Sequence, residues 1–159
     1  MDNSKTNVMR ILDQKKIAYS DFSYDSSITN GVDVASVLGE DKERVFKTLV
    51  TVSNNGHYFV FVIPVFRELD LKKAAKVALV KSIEMIKQKD LLPLTGYIHG
   101  GCSPIGMKKL FPTFIDNSCN EADYFYVSGG RCGRQIRINP NDLMKLINAK
   151  TADLVKENI

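Results

Sequence analysis

The pattern of apolar and polar positions changes between helical and strand-like spacing along the first part of the chain. Residues 4–16 place Val8, Ile11 and Leu12 at helical spacing, which predicts a helix with Ser4 as its N-cap. Residues 17–24 shift toward strand-like alternation. Residues 29–39 predict a short helix that ends at Gly39.

The clearest pattern is a pair of apolar runs separated by a turn. Residues 44–66 read RVFKTLVTVSNNGHYFVFVIPVF, with β-branched and aromatic side chains on both sides of Asn-Asn-Gly. This arrangement predicts a β-hairpin, because Asn and Gly readily adopt positive φ in a tight turn. The second run is almost continuously apolar, which predicts a strand covered on both faces.

The rest of the chain mixes short helices and strands. Helices are predicted over residues 69–79, 87–94 and 139–148, and strands over residues 113–116, 124–129 and 134–138. Proline is expected to end the second of these helices, whereas the third has Asn139 as its cap and Pro140 at its first position. The elements do not follow a regular βαβ order, so we predict an α+β fold.

Composition narrows the class of protein. With 159 residues, 44% of them hydrophobic, the chain is expected to form a single domain over residues 1–159. We expect a cytoplasmic protein, because the chain has neither an apolar run long enough to span a membrane nor a signal-peptide pattern. Three widely spaced cysteines favour free thiols. The net charge of +4 is compatible with a polyanionic partner without requiring one.

The residues that bind metals do not cluster in the sequence. His57, His99 and the three cysteines form no C-x-x-C or H-x-x-x-H pair, so we predict neither a metal nor any other cofactor. Cys102 lies in a glycine-rich loop and is a candidate nucleophile. We favour an ordinary loop residue at this position, because the sequence identifies no base to activate the thiol.

Two glycine-rich segments and one lysine carry the remaining chemical signal. Residues 96–109, GYIHGGCSPIGMKK, contain four glycines and are compatible with a structural turn, a phosphate cradle or an oxyanion site. Lys47 lies in an apolar strand, where it either extends its ammonium to solvent at the edge or reaches a cleft with an anionic partner. A second glycine-rich turn carries Arg131 and Arg134, and together with Lys47 it could form an anion-binding pocket.

Several of these segments together resemble the YbaK/EbsC family of bacterial Cys-tRNA(Pro) deacylases, which are related to the editing domain inserted in prolyl-tRNA synthetases. The matching segments are VFKTLV, LDLKKAAK, LPLTG, TGYIHGGCSPIGMKK and YVSGGRCG. The resemblance implies a mixed, strongly curved β-sheet, a partial barrel, flanked by helices. It also implies a pocket for the aminoacylated 3′ acceptor end of tRNA and a transient complex with prolyl-tRNA synthetase.

The resemblance assigns roles to individual residues. Lys47 matches the family's essential lysine, expected to orient the terminal ribose or phosphate and the ester carbonyl. The expected substrate-binding residues are Tyr24, Gly100, Gly101, Ser103, Pro104, Gly106, Gly129 and Gly130. The residue type at the position of Cys102 varies in related sequences, some of which carry aliphatic residues there, so the resemblance implies that Cys102 takes no part in the reaction. This chain departs from close relatives at Gln135, where they carry an acidic residue.

The function implied is the removal of cysteine from mischarged Cys-tRNA(Pro), with Cys-tRNA(Cys) as a further candidate substrate. The resemblance also implies that the substrate's own thiol attacks the ester, so that the reaction is formally closer to that of a lyase than of a hydrolase. Three alternatives stay open: a deacylase for alanine or serine, a non-catalytic module that binds tRNA or a synthetase, and a thiol hydrolase that uses Cys102.

Overall fold

A computed structural model describes residues 4–157, in which short helices and strands are mixed along the chain. The α-helices are α1 (Asn7–Gln14), α2 (Gly31–Leu38), α3 (Leu71–Ala78), α4 (Gln88–Thr95) and α5 (Pro140–Ile147). The strands are β1 (Tyr19–Ser23), β2 (Phe46–Ser53), β3 (Tyr58–Pro64), β4 (Ile83–Met85), β5 (Thr113–Asp116), β6 (Phe125–Ser128), β7 (Arg134–Ile138) and β8 (Lys150–Ala152). The predicted α+β class is confirmed.

The described strands form two sheets. The larger has the order β4-β2-β3-β5-β8, in which β2 and β3 pair as the predicted antiparallel hairpin and β5 and β8 add in parallel. The smaller has the order β1-β7-β6 and is antiparallel. Within residues 4–157 neither sheet closes on itself, so the partial barrel that the resemblance implies is not confirmed.

One parallel bridge joins the two sheets, between the residue that precedes β2 and the edge strand β6. Val45, just before β2, pairs with Tyr126 in β6. Both side chains are buried in a small cluster that also contains Ala35 of α2 and Val65 after β3. Helix α2 lies closely over this seam, because a Cβ at Gly31 would be only 2.5 Å from Val65 Cγ1. The seam and its helical cover create the setting for the cavity described below.

Strand β3 is covered on both faces, as its continuous apolar run predicts. Val60 and Val62 are buried in one hydrophobic cluster, and Phe59, Phe61 and Ile63 are buried in another on the opposite face. Burial of one such side chain stabilises a fold by about 1.5–3 kcal/mol. The hairpin is therefore anchored from both sides, and Lys47 on β2 lies opposite Ile63 on this rigid support.

Two helix boundaries differ from the sequence predictions. Thr6, not Ser4, caps α1, because its hydroxyl oxygen accepts a hydrogen bond from the Met9 N–H at 3.3 Å. Pro93 lies inside α4 and does not end it. The helix continues to Thr95 and ends at Gly96, whose φ of +87° suits a glycine C-cap. No helix within residues 4–157 is long and apolar enough to cross a membrane.

Candidate active site

A cavity of about 490 Å³ lies at the seam between the two sheets. Its walls come from the start of α2, the start of β2, the connection after β3, the glycine loop, the end of β6 and the start of β7. The wall includes Tyr24, Lys47, Gly100, Cys102, Ser128 and Gln135. The cavity has the size of an ordinary small-ligand pocket.

Strand alternation explains why polar side chains from different strands meet in this cavity. The Val45–Tyr126 bridge is parallel, so Lys47 and Ser128, each two residues further along, share the face of the bridge residues. Ser128 is paired across the smaller sheet with Gln135. Gln135 Nε2 in turn donates a hydrogen bond to the Tyr24 hydroxyl at 3.4 Å. The two sheets thus present one lateral row of polar groups.

Lys47 supplies a positive charge at the cavity wall, and a second cation of the wall, Arg67, donates a hydrogen bond to the Lys156 carbonyl at 2.7 Å. Its side chain is half-buried, and burial lowers the pKa of its ammonium, while the nearby Glu68 carboxylate raises it. Glu68 itself is exposed and pairs with Lys156 Nζ at 3.1 Å. Among residues 4–157, no group forms a hydrogen bond or salt bridge with the Lys47 ammonium, which is therefore able to interact with a ligand.

The glycine loop touches the cavity through one of its two adjacent glycines. Gly100 lines the cavity with φ of +88°, and a Cβ there would lie 3.0 Å from Thr29 Cγ2. Gly101 instead packs on the turn between β6 and β7, because its Cβ would lie 2.8 Å from the Cys132 amide nitrogen. Its own N–H donates to the Ile98 carbonyl at 3.0 Å. Gly101 is therefore required by the contact between two loops.

The remaining residues predicted from the glycine loop form its base. Ser103 and Pro104 are buried, and Ser103 Oγ accepts a hydrogen bond from the Ile105 N–H at 3.2 Å. Gly106 has φ of +78°, and a Cβ there would lie 3.0 Å from the Tyr97 hydroxyl oxygen. These three residues are not among those that line the cavity. Their position supports the loop, and any effect on a ligand is indirect.

Gly129 and Gly130 form the turn between β6 and β7 and also lie outside the cavity wall. The Gly129 N–H donates to the Arg134 carbonyl at 2.9 Å, and the Gly130 N–H donates to Ser128 Oγ at 3.1 Å. A Cβ at Gly130, where φ is +94°, would lie 2.9 Å from Val8 Cγ2. The turn orients Ser128 and supports the loop of Gly101.

Arg131 and Arg134 line a different cavity, of about 340 Å³, and are not among the residues that line the main cavity. Arg134 Nη2 lies 3.3 Å from the Asp21 carboxylate, and its Nη1 donates to the Ser4 carbonyl at 2.7 Å. The structure thus separates both arginines from Lys47. The anion-binding pocket that combined these three residues is not what the fold builds.

Cys102 lies in the cavity wall, but its environment opposes thiolate formation. Burial raises the pKa of its thiol to about 12, so at neutral pH only about one molecule in 10⁵ carries the thiolate. A nucleophilic cysteine needs the opposite environment, with a cation or helix N-terminus that stabilises the anion. His99 also lines the cavity. No group of three or more His, Cys, Asp or Glu side chains suited to a metal ion occurs between residues 4 and 157.

Sequence reasoning missed Ser128, Thr29 and Asn30 as wall residues. The two latter residues immediately precede α2, and Asn30 caps it by accepting hydrogen bonds from the Val32 and Asp33 N–H groups. A cap signal predicts a helix start and carries no information about which cavity that helix covers. Ser128 could have been found, because it immediately precedes the glycine pair of the β6–β7 turn.

Comparison with known proteins identifies the fold and its relatives. Residues 26–146 match the family model described as an aminoacyl-tRNA editing domain. A relative from Enterococcus faecalis, named as a candidate Cys-tRNA(Pro)/Cys-tRNA(Cys) deacylase, EbsC, is 45% identical over 152 residues, which cover 94% of this chain and 93% of the relative.

Solved structures share the fold at lower sequence identity. A candidate trans-editing enzyme for prolyl tRNA synthetase has a TM-score of 0.83 at 22% identity, covering 97% of this chain and 100% of the other. The hypothetical protein APE2540 has a TM-score of 0.88 at 20% identity, covering 95% of this chain and 100% of the other. At these identities the likeness establishes the fold alone.

Proposed function

The chain belongs to the aminoacyl-tRNA editing domain family, and on this premise we propose that it is a deacylase that removes cysteine from Cys-tRNA(Pro) and from Cys-tRNA(Cys). The observation that carries the proposal is the position of Lys47 in a cavity of about 490 Å³, in a chain 45% identical to the candidate cysteinyl-tRNA deacylase from Enterococcus faecalis. The pocket receives the terminal adenosine and its aminoacyl ester.

Lys47 is the residue that we assign to the reacting ester. A half-buried ammonium without a hydrogen-bonded partner among residues 4–157 attracts the negative charge of the terminal phosphate or of the carbonyl oxygen in the transition state. Electrostatic interactions of this kind are stronger in a site that excludes water. Gly100 lines the same cavity, where the lack of a side chain lets the backbone approach the aminoacyl group.

The nucleophile in this proposal is the thiol of the substrate. Its sulfur attacks the ester carbonyl carbon, a carbon–sulfur bond forms, and the bond from that carbon to the ribose oxygen breaks. The products are a cyclic thiolactone and tRNA with a free hydroxyl, which keeps the proton that the thiol released. Well-oriented intramolecular reactions reach effective molarities on the order of 10⁵–10⁸ M, so the protein needs only to hold the thiol against the carbonyl.

A tRNA substrate is a polyanion, which is compatible with the net charge of +4 of this chain. The cavity of about 490 Å³ has room for only the end of the acceptor stem. The features that distinguish one tRNA from another must therefore be recognised elsewhere. We propose that a transient complex with prolyl-tRNA synthetase supplies it. A cytoplasmic location follows from this role, since both partners are found there.

The test compares deacylation of Cys-tRNA(Pro) with that of Ser-tRNA(Pro), with Ala-tRNA(Pro) as a third substrate. The thiol mechanism predicts fast release of cysteine, a trapped thiolactone, and very slow release of serine. Selection by size discriminates near-isosteric side chains by only about ten- to a few hundred-fold. Serine release at nearly the rate of cysteine release would contradict the thiol mechanism, and tRNA binding without any deacylation would favour the non-catalytic module.

A further inference from the structure

The side chain of Gln135 carries a buried oxygen without a partner in the wall of the main cavity. Gln135 is only 6% exposed, and among residues 4–157 no group donates a hydrogen bond to its Oε1. A buried carbonyl oxygen without a donor destabilises a folded protein, because it has lost its hydrogen bonds with water. A ligand that donates a hydrogen bond to this oxygen would remove that cost.

The position of Gln135 Oε1 is set by its neighbours. The amide nitrogen of the same side chain donates to the Tyr24 hydroxyl, so the carbonyl oxygen is the polar atom of this side chain that has no partner among residues 4–157. Burial raises the pKa of Tyr24, so its hydroxyl stays neutral. Gln135 pairs across the sheet with Ser128, on the face that also carries Lys47. The cavity therefore has a cation from one sheet and a neutral acceptor from the other.

This arrangement matches the polarity of an aminoacyl ester. The ester carbonyl is an acceptor and suits Lys47, whereas the α-ammonium has only donors and is repelled by a second cation. A ribose hydroxyl would satisfy Gln135 less specifically, because it is itself an acceptor as well as a donor. The cavity wall also contains Glu68, whose exposed carboxylate pairs with Lys156, and Thr48, whose hydroxyl can donate as well as accept. Gln135 Oε1 is the buried oxygen of the wall that can only accept a hydrogen bond and has no partner among residues 4–157, so it suits the α-amino group.

We propose, on the basis of the proposed function, that Gln135 Oε1 accepts a hydrogen bond from the α-amino group of the bound aminoacyl ester. Gln135 is then a specificity residue that selects esters with a free amino group. Esters whose nitrogen is acylated, as in formylated or peptidyl-tRNA, lose a donor and gain bulk at the same point. The site would act on aminoacyl-tRNA and leave these blocked forms intact.

The experiment measures binding of two non-hydrolysable ligands by calorimetry. Both carry the acyl group on the terminal ribose of adenosine through an amide; one acyl group is cysteinyl and the other is its counterpart without the amino group. Hydrogen bonds to charged groups are among the stronger ones in proteins, so the wild-type protein should bind the cysteinyl ligand about tenfold to a hundredfold more tightly.

Variants connect this preference to Gln135. Gln135→Met should bring the ratio of the two affinities close to one, while Gln135→Glu keeps an acceptor oxygen and should retain the preference. The matched control is Gln88→Met, which removes an exposed glutamine at the start of α4 and should behave as wild type. Thermal denaturation checks that each variant is folded, and Gln135→Leu replaces Gln135→Met if the latter is not.

The outcomes separate this inference from the proposed function. Equal affinity of the wild-type protein for the two ligands overturns the role of Gln135 whatever the variants do, and leaves the proposed function standing. An undiminished preference in Gln135→Met overturns it as well. If neither ligand binds at millimolar concentration, the pocket does not receive an aminoacyl end, and the proposed function fails together with the inference.

Discussion

Replacing Gly101 with alanine tests how the glycine loop is held in place. A Cβ at this position would lie 2.8 Å from the Cys132 amide nitrogen and 3.0 Å from the Arg131 carbonyl carbon. Both atoms belong to the backbone, so neither can move aside as a flexible side chain could. The φ of Gly101 is not among the positive values, so alanine adds no left-handed strain, and the substitution isolates the contact between the two loops.

The size of the effect follows from the cost of inserting one methyl group into a closely packed contact. Overpacking of this kind typically costs about 1–3 kcal/mol. In a chain of this length, each kcal/mol lowers the melting temperature by about 2–4 °C. We therefore expect Gly101→Ala to melt about 2–12 °C below the wild-type protein, and Gly101→Val to melt lower still.

The Gly101→Ala variant should also lose deacylation activity under conditions in which it is fully folded. Gly100 and Cys102, on either side of Gly101, line the main cavity, so a displaced loop changes the shape of the wall. A displacement of about 1 Å in a catalytic site can reduce the rate about 100-fold. We expect a loss of that order in kcat/KM for the deacylation of Cys-tRNA(Pro) at a temperature at which the variant is fully folded.

The control is Gly56→Ala in the turn between β2 and β3. Gly56 has φ of +81°, and a Cβ there would meet no atom within 4 Å. Alanine at this position introduces backbone strain without a steric contact and should lower the melting temperature while leaving activity unchanged. The reasoning is refuted if Gly101→Ala has both the melting temperature and the activity of the wild-type protein.

Two further predictions concern side chains in the cavity wall. Lys47→Ala and Lys47→Met should abolish deacylation without lowering the melting temperature, because each removes a partly desolvated charge; a folded, active variant would exclude Lys47 from the mechanism. Since burial lowers the Lys47 pKa below 10.5, activity should decline as pH rises through the lowered value. Between that value and 10.5 the unfolded state binds more protons, so stability should rise with pH in wild type relative to Lys47→Met, which unfolding at several pH values would detect. Cys102→Ala should stay within a few-fold of wild-type activity, since burial keeps its thiol protonated; complete loss of activity in a folded Cys102→Ala protein would instead support the thiol hydrolase.

The parts of the fold that the sequence predicts are those in which one segment decides its own structure. The β2–β3 hairpin has long apolar runs and a turn sequence, and α5 has a cap followed by proline, so local chemistry suffices. Strands β4 and β8 have three residues each, too few for any periodicity to appear. The place where the two sheets meet depends on the pairing of Val45 with Tyr126, which lie far apart in the chain.

The site follows the same division. The resemblance selected Tyr24, Lys47 and Gly100, and all three line the cavity. It also selected Gly101 and Gly130, which the fold uses in contacts beside the cavity. A motif identifies the residues that build a loop, but the tertiary contacts decide which of them face a ligand. Gln135 was visible in the sequence only as a departure from relatives, and its unpaired oxygen emerges only from the packing around it.

The seam between the sheets explains why these polar groups can exist in an otherwise apolar interior. Beyond the Val45–Tyr126 bridge, β2 and β6 form no further backbone pairs within residues 4–157. Lys47 and Ser128, which follow the bridge on the two strands, line the main cavity, where apolar side chains would otherwise pack. Filling this space with hydrophobic side chains would stabilise the unliganded fold, since burial of apolar surface is favourable and unpaired polar groups are costly. The same groups that reduce stability without ligand are the ones that a bound ester would pair. On the proposed function, the polar groups at the seam therefore lower the stability of the unliganded protein and stabilise its complex with a ligand that has an acceptor at one end and a donor at the other.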